Sequence, residues 1–86
     1  MSDQLTASVI EVIAKTQHLS PESITIDKTF AELKIDSLDG MNILFAVESE
    51  FDISIPDEQA ARIKSVREMV EGIQKLVAAK EAAHQG

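Results

Sequence analysis

The run Ile35-Asp36-Ser37-Leu38-Asp39 sets one hydroxyl between two carboxylates, where an irregular stretch gives way to an apolar-periodic one. With Asp36 as N-cap and Asp39 at the third helical position, Ser37 stands at a helix start. Such a start leaves backbone N–H groups unpaired and carries partial positive charge, so it favours an anionic group hung on a nearby side chain. The chemistry on offer at Ser37 is covalent attachment of a phosphate-type group. Taken alone, Asp36-Ser37-Leu38 is most often just a helix cap.

Hydrolysis by the same serine would require a positioned base and oxyanion donors. His18 and His84 fall at a helix end and in the tail, and no Gly-x-Ser-x-Gly turn is present. Each histidine is alone among mostly non-ligand residues and reads as solvated, so no metal site is assigned. Aligning Gly40 with the invariant glycine of a calcium loop puts Ile35 and Ala46 at ligand positions, which fails on ligand chemistry. Asp57-Glu58 and Glu48-x-Glu50 fit acids of a first turn or a solvated face, or contacts to a basic partner, better than paired catalytic carboxylates. An enzyme is thus the least supported class.

Composition narrows the rest. The 86 residues suit one domain, 1–86, with a modest core. There is no cysteine, so any thiol chemistry needs an imported thiol. Fifteen acidic against eight basic residues, a formal charge of -7, repel nucleic acid and anionic lipid and favour basic partner surfaces. Phe30, Phe45 and Phe51 are the only aromatics, too few for a base-stacking platform. No apolar run approaches the roughly 20 residues of a membrane span, and Met1 leads into polar residues, so the expected location is cytoplasmic.

The elements that must position Ser37 read as helices. Leu5, Val9, Val12 and Ile13 recur at helical spacing between Asp3 and Gln17. Ser20-Pro21 starts one short turn, and a long loop follows in which Ile24, Ile26, Phe30, Leu33 and Ile35 act as anchors. Thr29 caps a further short turn around Phe30 to Leu33. A second helix spans Ser37 to Phe51, with interior Gly40 a local weakness of about 1 kcal/mol. The Pro56 restart gives a short helix from Asp57 to Arg62. Ser65-Val66-Arg67-Glu68 is a capping box, followed by the stripe Val66, Met69, Val70, Ile73, Leu76 and Val77. The last helix loses its apolar face and is expected to fray near Lys80. The class is all-α: a small four-helix bundle of three longer helices and one short one, with a long connection between the first two.

Taken with Leu33, Asp39, Glu48-Ser49-Glu50-Phe51-Asp52-Ile53 and Ile55-Pro56-Asp57-Glu58, the pattern from about Thr29 to Val66 closely resembles the acyl carrier proteins of fatty-acid and polyketide synthesis. The resemblance implies a non-catalytic monomer whose serine, here Ser37, receives 4'-phosphopantetheine from coenzyme A through a separate phosphopantetheinyl transferase. The thiol then carries acyl groups between acyl-transferring or condensing enzymes. It also implies that Asp36, Asp39, Glu48 and Glu50 face basic docking patches on those enzymes. Leu38, Met41 and Phe45 then contact a partner, line the entrance for an acyl chain, or pack in the core. Lys34 stands where the family usually has Gly, and Asn42 where Glu is common; with Gly40, these suggest a specialised carrier. An aminoacyl or D-alanyl carrier, and an unmodified acidic adaptor, are the alternatives.

Overall fold

A computed structural model describes residues 3–85, with side chains described from 4 to 82; the expectations for Met1, Ser2 and the His84 side chain lie outside these. Among the described residues the chain forms α1 (Asp3–Gln17), α2 (Ser37–Phe51), α3 (Asp57–Arg62) and α4 (Val66–Gln85), with one 3-10 turn at Pro21–Ser23. The all-α class and the pattern of three long helices and one short one agree with the sequence. The β-structure described is an isolated bridge between Thr29 and Ser65. No described helix is long and apolar enough to cross a membrane.

Packing follows the apolar stripes. Val9 and Ile13 of α1, Ile43 and Val47 of α2, and Val66, Met69, Val70 and Ile73 of α4 are all fully or almost fully buried and meet in one core. The long connection is pinned into that core by Ile24 and Ile35, with Phe30 and Leu33 half-buried against it. By contrast, α3 is six residues long and contributes no buried residue.

The connection is also clasped to the start of α4. The Phe30 N–H donates to the Lys64 carbonyl and the Val66 N–H to the Lys28 carbonyl, both at 3.0 Å. Two helical starts therefore lie side by side. At one, the Glu32 N–H donates to the Thr29 hydroxyl at 3.1 Å and the Thr29 N–H to the Glu32 carboxylate at 2.8 Å, a complete capping box. At the other, the Glu68 N–H donates to the Ser65 hydroxyl at 3.1 Å, but the Glu68 carboxylate accepts from the Lys64 N–H at 2.9 Å, one residue earlier than the box predicts.

The last helix, α4, is helical to Gln85. Its end is rich in alanine, the strongest helix former. Lys80 also donates to the Phe51 carbonyl at 3.2 Å and pairs with Asp52 at 3.1 Å, anchoring this stretch to the end of α2.

Three segments stop in the left-handed region without glycine, at His18 (φ 56°), Lys34 (φ 62°) and Asp52 (φ 54°). Each is followed by an N–H bonded five residues back: Leu19 to Ala14, Ile35 to Phe30 and Ile53 to Glu48. This is the pairing of a Schellman stop, and it satisfies carbonyls that a helix end would leave open.

Candidate functional site

Ser37 is positioned by two consecutive devices. The turn Phe30–Leu33 is closed by the Lys34 N–H donating to the Ala31 carbonyl at 3.0 Å and the Ile35 N–H to the Phe30 carbonyl at 2.9 Å. The left-handed Lys34 then swings the chain outward, and Ile35 drops into the core as an anchor. Asp36 is extended (φ -87°, ψ -176°) and caps α2: its carboxylate accepts the Asp39 N–H at 2.9 Å, and its carbonyl the Gly40 N–H at 2.8 Å. Ser37 is left at the first helical position with an exposed side chain. The N–H groups of Ser37 and Leu38 belong to the first turn, where no intrahelical acceptor exists.

The capping box upstream also acts on charge. Bonds from the Thr29 backbone N–H and hydroxyl, with Lys28 alongside, hold the Glu32 carboxyl below its ordinary value. The charged form is thus favoured in the fold, which steadies the turn that delivers Asp36 and Ser37.

Beneath Ser37 lies an open cleft of about 700 Å³ between α2 and the α3 side of the molecule. Gly40, Met41, Leu44 and Phe45 form its α2 wall, Ile55, Ala60 and Ile63 the opposite wall, and Met69 reaches it from the core. Its mouth holds Asp36, Ser37 and Asp57.

The sequence-predicted residues fall into overlapping groups. Ser37, Asp36, Met41, Phe45 and Glu48 all line the cleft, so the structure brings them together. Leu38, Met41 and Phe45 are 73%, 50% and 60% exposed and, spaced three and four apart, form one surface stripe; core packing does not describe them. Asp39 is half-buried at the first turn, and Glu50 is exposed farther along the helix. Glu48 departs from a free docking acid: it is half-buried and its carboxylate accepts the Ile55 N–H at 2.7 Å.

Sequence reasoning missed the far wall of the cleft. The signal was present in α3, Asp57-Glu58-Gln59-Ala60-Ala61-Arg62, where small alanines stand at the positions that would otherwise fill the space against α2.

Residues 7–73 match the family described as phosphopantetheine attachment site. The chain is 40% identical over 74 residues to an acyl carrier protein of Rickettsia bellii, covering 85% of this chain and 86% of that protein. It belongs to the acyl carrier protein family. A mitochondrial acyl carrier protein of Dictyostelium discoideum is 43% identical over 77 residues, and the match spans 90% of this chain but 64% of that longer protein. In three dimensions the chain superposes on the crystal structure of an acyl carrier protein from Thermotoga maritima with a TM-score of 0.79 at 26% identity, covering 88% of this chain and 89% of the other.

Acyl carrier proteins are non-catalytic, and membership implies a covalently attached 4'-phosphopantetheine. The start of α2 suits that group in three respects. It has an exposed hydroxyl, first-turn N–H groups for phosphate oxygens and a largely apolar cleft within reach, in a chain that has no thiol of its own.

Proposed function

We propose that Ser37 is the attachment residue and that the chain shuttles acyl groups, held as thioesters, between separate enzymes of fatty-acid, polyketide or specialised lipid synthesis. In the loading step the Ser37 Oγ forms the phosphodiester and loses its proton, and adenosine 3',5'-bisphosphate leaves from coenzyme A. When bound, the arm supplies the terminal thiol on which acyl groups ride. The observation that carries this reading is the position of Ser37: exposed, first in α2, and at the mouth of the cleft. Asp36 supports it by fixing the helix start through its bond to the Asp39 N–H.

The proposed partner face is the α2 surface with Leu38, Met41 and Phe45 as apolar contacts and Asp36 and Asp39 as acids. Exposed charge of this kind speeds encounter while adding little to residence time, which suits a partner that must leave every cycle. Partners are proposed to be a phosphopantetheinyl transferase and acyl-transferring or condensing enzymes with basic patches, met by a monomer.

Incubation with coenzyme A and a promiscuous phosphopantetheinyl transferase is expected to raise the intact mass by one phosphopantetheine. Ser37→Ala should abolish that gain while leaving the melting temperature near wild type, because the hydroxyl is exposed. A modified Ser37→Ala protein would remove Ser37 from the assignment.

A further inference from the structure

Glu48 is the residue that the proposed function leaves with an unexplained geometry. It is one of the acids for which the family resemblance implies a docking role, yet it is half-buried and lines the cleft. Its carboxylate accepts the Ile55 N–H at 2.7 Å across seven residues, while its own carbonyl accepts the Ile53 N–H at 3.1 Å. With the Asp52 N–H also donating to that carbonyl, one residue holds three donors of the segment that leads from α2 into α3.

The other holds on that segment are the Lys80–Asp52 pair at its start and the packing of Ile53 and Ile55 against the core, and among the bonds given for it none but that to Glu48 holds its end before α3. Asp52 takes the left-handed turn out of α2, and Pro56, which has no N–H, caps α3. The Ile55 N–H is therefore the last donor before α3, and the Ile55 side chain is buried at the cleft wall. Because α3 itself buries no residue, its distance from α2 depends heavily on how this leading segment is fixed. A charge-assisted bond to a backbone N–H is among the stronger neutral-to-ion contacts, and losing it would leave a part-buried donor unpaired.

We propose that Glu48 is a positioning residue: its carboxylate latches Ile55 to α2 and so sets the wall against which the acyl chain on the arm lies. This rests on the carrier reading above for the identity of the occupant, but the latch itself belongs to the unmodified chain. Charge at residue 48 is secondary in this role, and the acceptor oxygen is primary. A docking acid would behave the opposite way.

The test compares Glu48→Gln, which keeps an acceptor oxygen, with Glu48→Ala, which removes it. Amide exchange followed by NMR on the unmodified proteins, normalised to the Val9 and Val70 amides that report global opening, should show the Ile55 N–H exchanging about tenfold faster in Glu48→Ala. Glu48→Gln should recover most of that loss. Unchanged normalised exchange in Glu48→Ala would overturn the latch. The same proteins are then loaded with an octanoyl-phosphopantetheine arm. In wild type and Glu48→Gln the acyl group should slow exchange at Leu44, Ile55 and Ile63 relative to the unacylated arm, and in Glu48→Ala this protection should vanish. Protection that persists in Glu48→Ala overturns the positioning role. Protection absent even from wild type overturns the cleft as the acyl seat and with it the positioning role, while the carrier reading stands or falls separately on the mass gain at Ser37.

Discussion

The two sides of α2 are built for different ends. Toward α1 and α4, Ile43 and Val47 are fully buried in a core shared with Val9, Ile13, Val70 and Ile73. Toward α3 the same helix shows Met41 and Phe45, half or more exposed, over an open cleft. The cause is length: a six-residue helix of small and polar residues cannot cover a fifteen-residue one. A single helix can therefore anchor the fold with one face and leave apolar surface for transient contacts on the other, where such surface marks interaction.

The sharpest way to break this contrast is to truncate one residue on each side. Ile43→Ala, in the closed core, is expected to cost about 2–5 kcal/mol, enough to unfold much of a domain this small. Phe45→Ala should change stability by no more than about 0.5 kcal/mol while slowing transfer to partner enzymes. Urea denaturation and a transfer assay on both variants check the pair. Equal destabilisation would mean that the cleft face is structural after all.

A smaller effect is expected where backbone and residue type disagree. Lys34 occupies a left-handed turn that glycine adopts freely, so Lys34→Gly should stabilise by about 1 kcal/mol. Gly40 lies in a helix with nothing within 4 Å of the position an added Cβ would take, and Gly40→Ala should gain a similar amount, about 1 kcal/mol. Each gain should appear as a rise in melting temperature of roughly 4–8 °C. No gain from Lys34→Gly would mean that the lysine side chain offsets its own strain.

The smallest effect concerns acid. Because the Thr29 bonds hold the Glu32 carboxyl below its ordinary value in the fold, the unfolded chain binds that proton more readily. Its stabilising contribution is therefore complete above the unfolded value and is lost as pH falls through the folded one. The stability difference between wild type and Glu32→Gln should shrink as pH is lowered from roughly 6 to 3, measured by denaturant titration. A difference that grows on acidification would reverse the sign assigned to the Thr29 bonds.

Much of this architecture is legible in the sequence because caps and apolar periods coincide. Asp36 before Ser37, Pro56 before Asp57 and Ser65 before Val66 mark the starts of α2, α3 and α4, and the stripe from Val66 to Val77 marks the last core face. What was not legible has identifiable causes. The stops at His18, Lys34 and Asp52 lack the glycine that usually signals a left-handed residue. The helix beyond Lys80 draws on alanine propensity and an anchor to α2, neither of which leaves an apolar pattern. The short turn capped by Thr29, by contrast, is legible in the sequence, and only the return bond from the Thr29 N–H to Glu32 adds to that reading. The bond from Glu48 to Ile55 crosses two changes of direction and has no periodic trace at all.

The clasp between Thr29 and Ser65 gives the chain a topology of its own. Its two backbone bonds join residues 28 and 66, and 30 and 64, so that α2 and α3 form the body of a loop with tied ends. The entropy of closing a loop grows only slowly with its length, so residues added between Asp52 and Pro56 would cost little in closure, and their main effect would be on the bond between the Ile55 N–H and the Glu48 carboxylate. They would leave the register from Phe30 to Ser37 untouched and alter only the span over the cleft. Length taken up in the connection into α3 would thus be felt at the cleft and not at the start of α2.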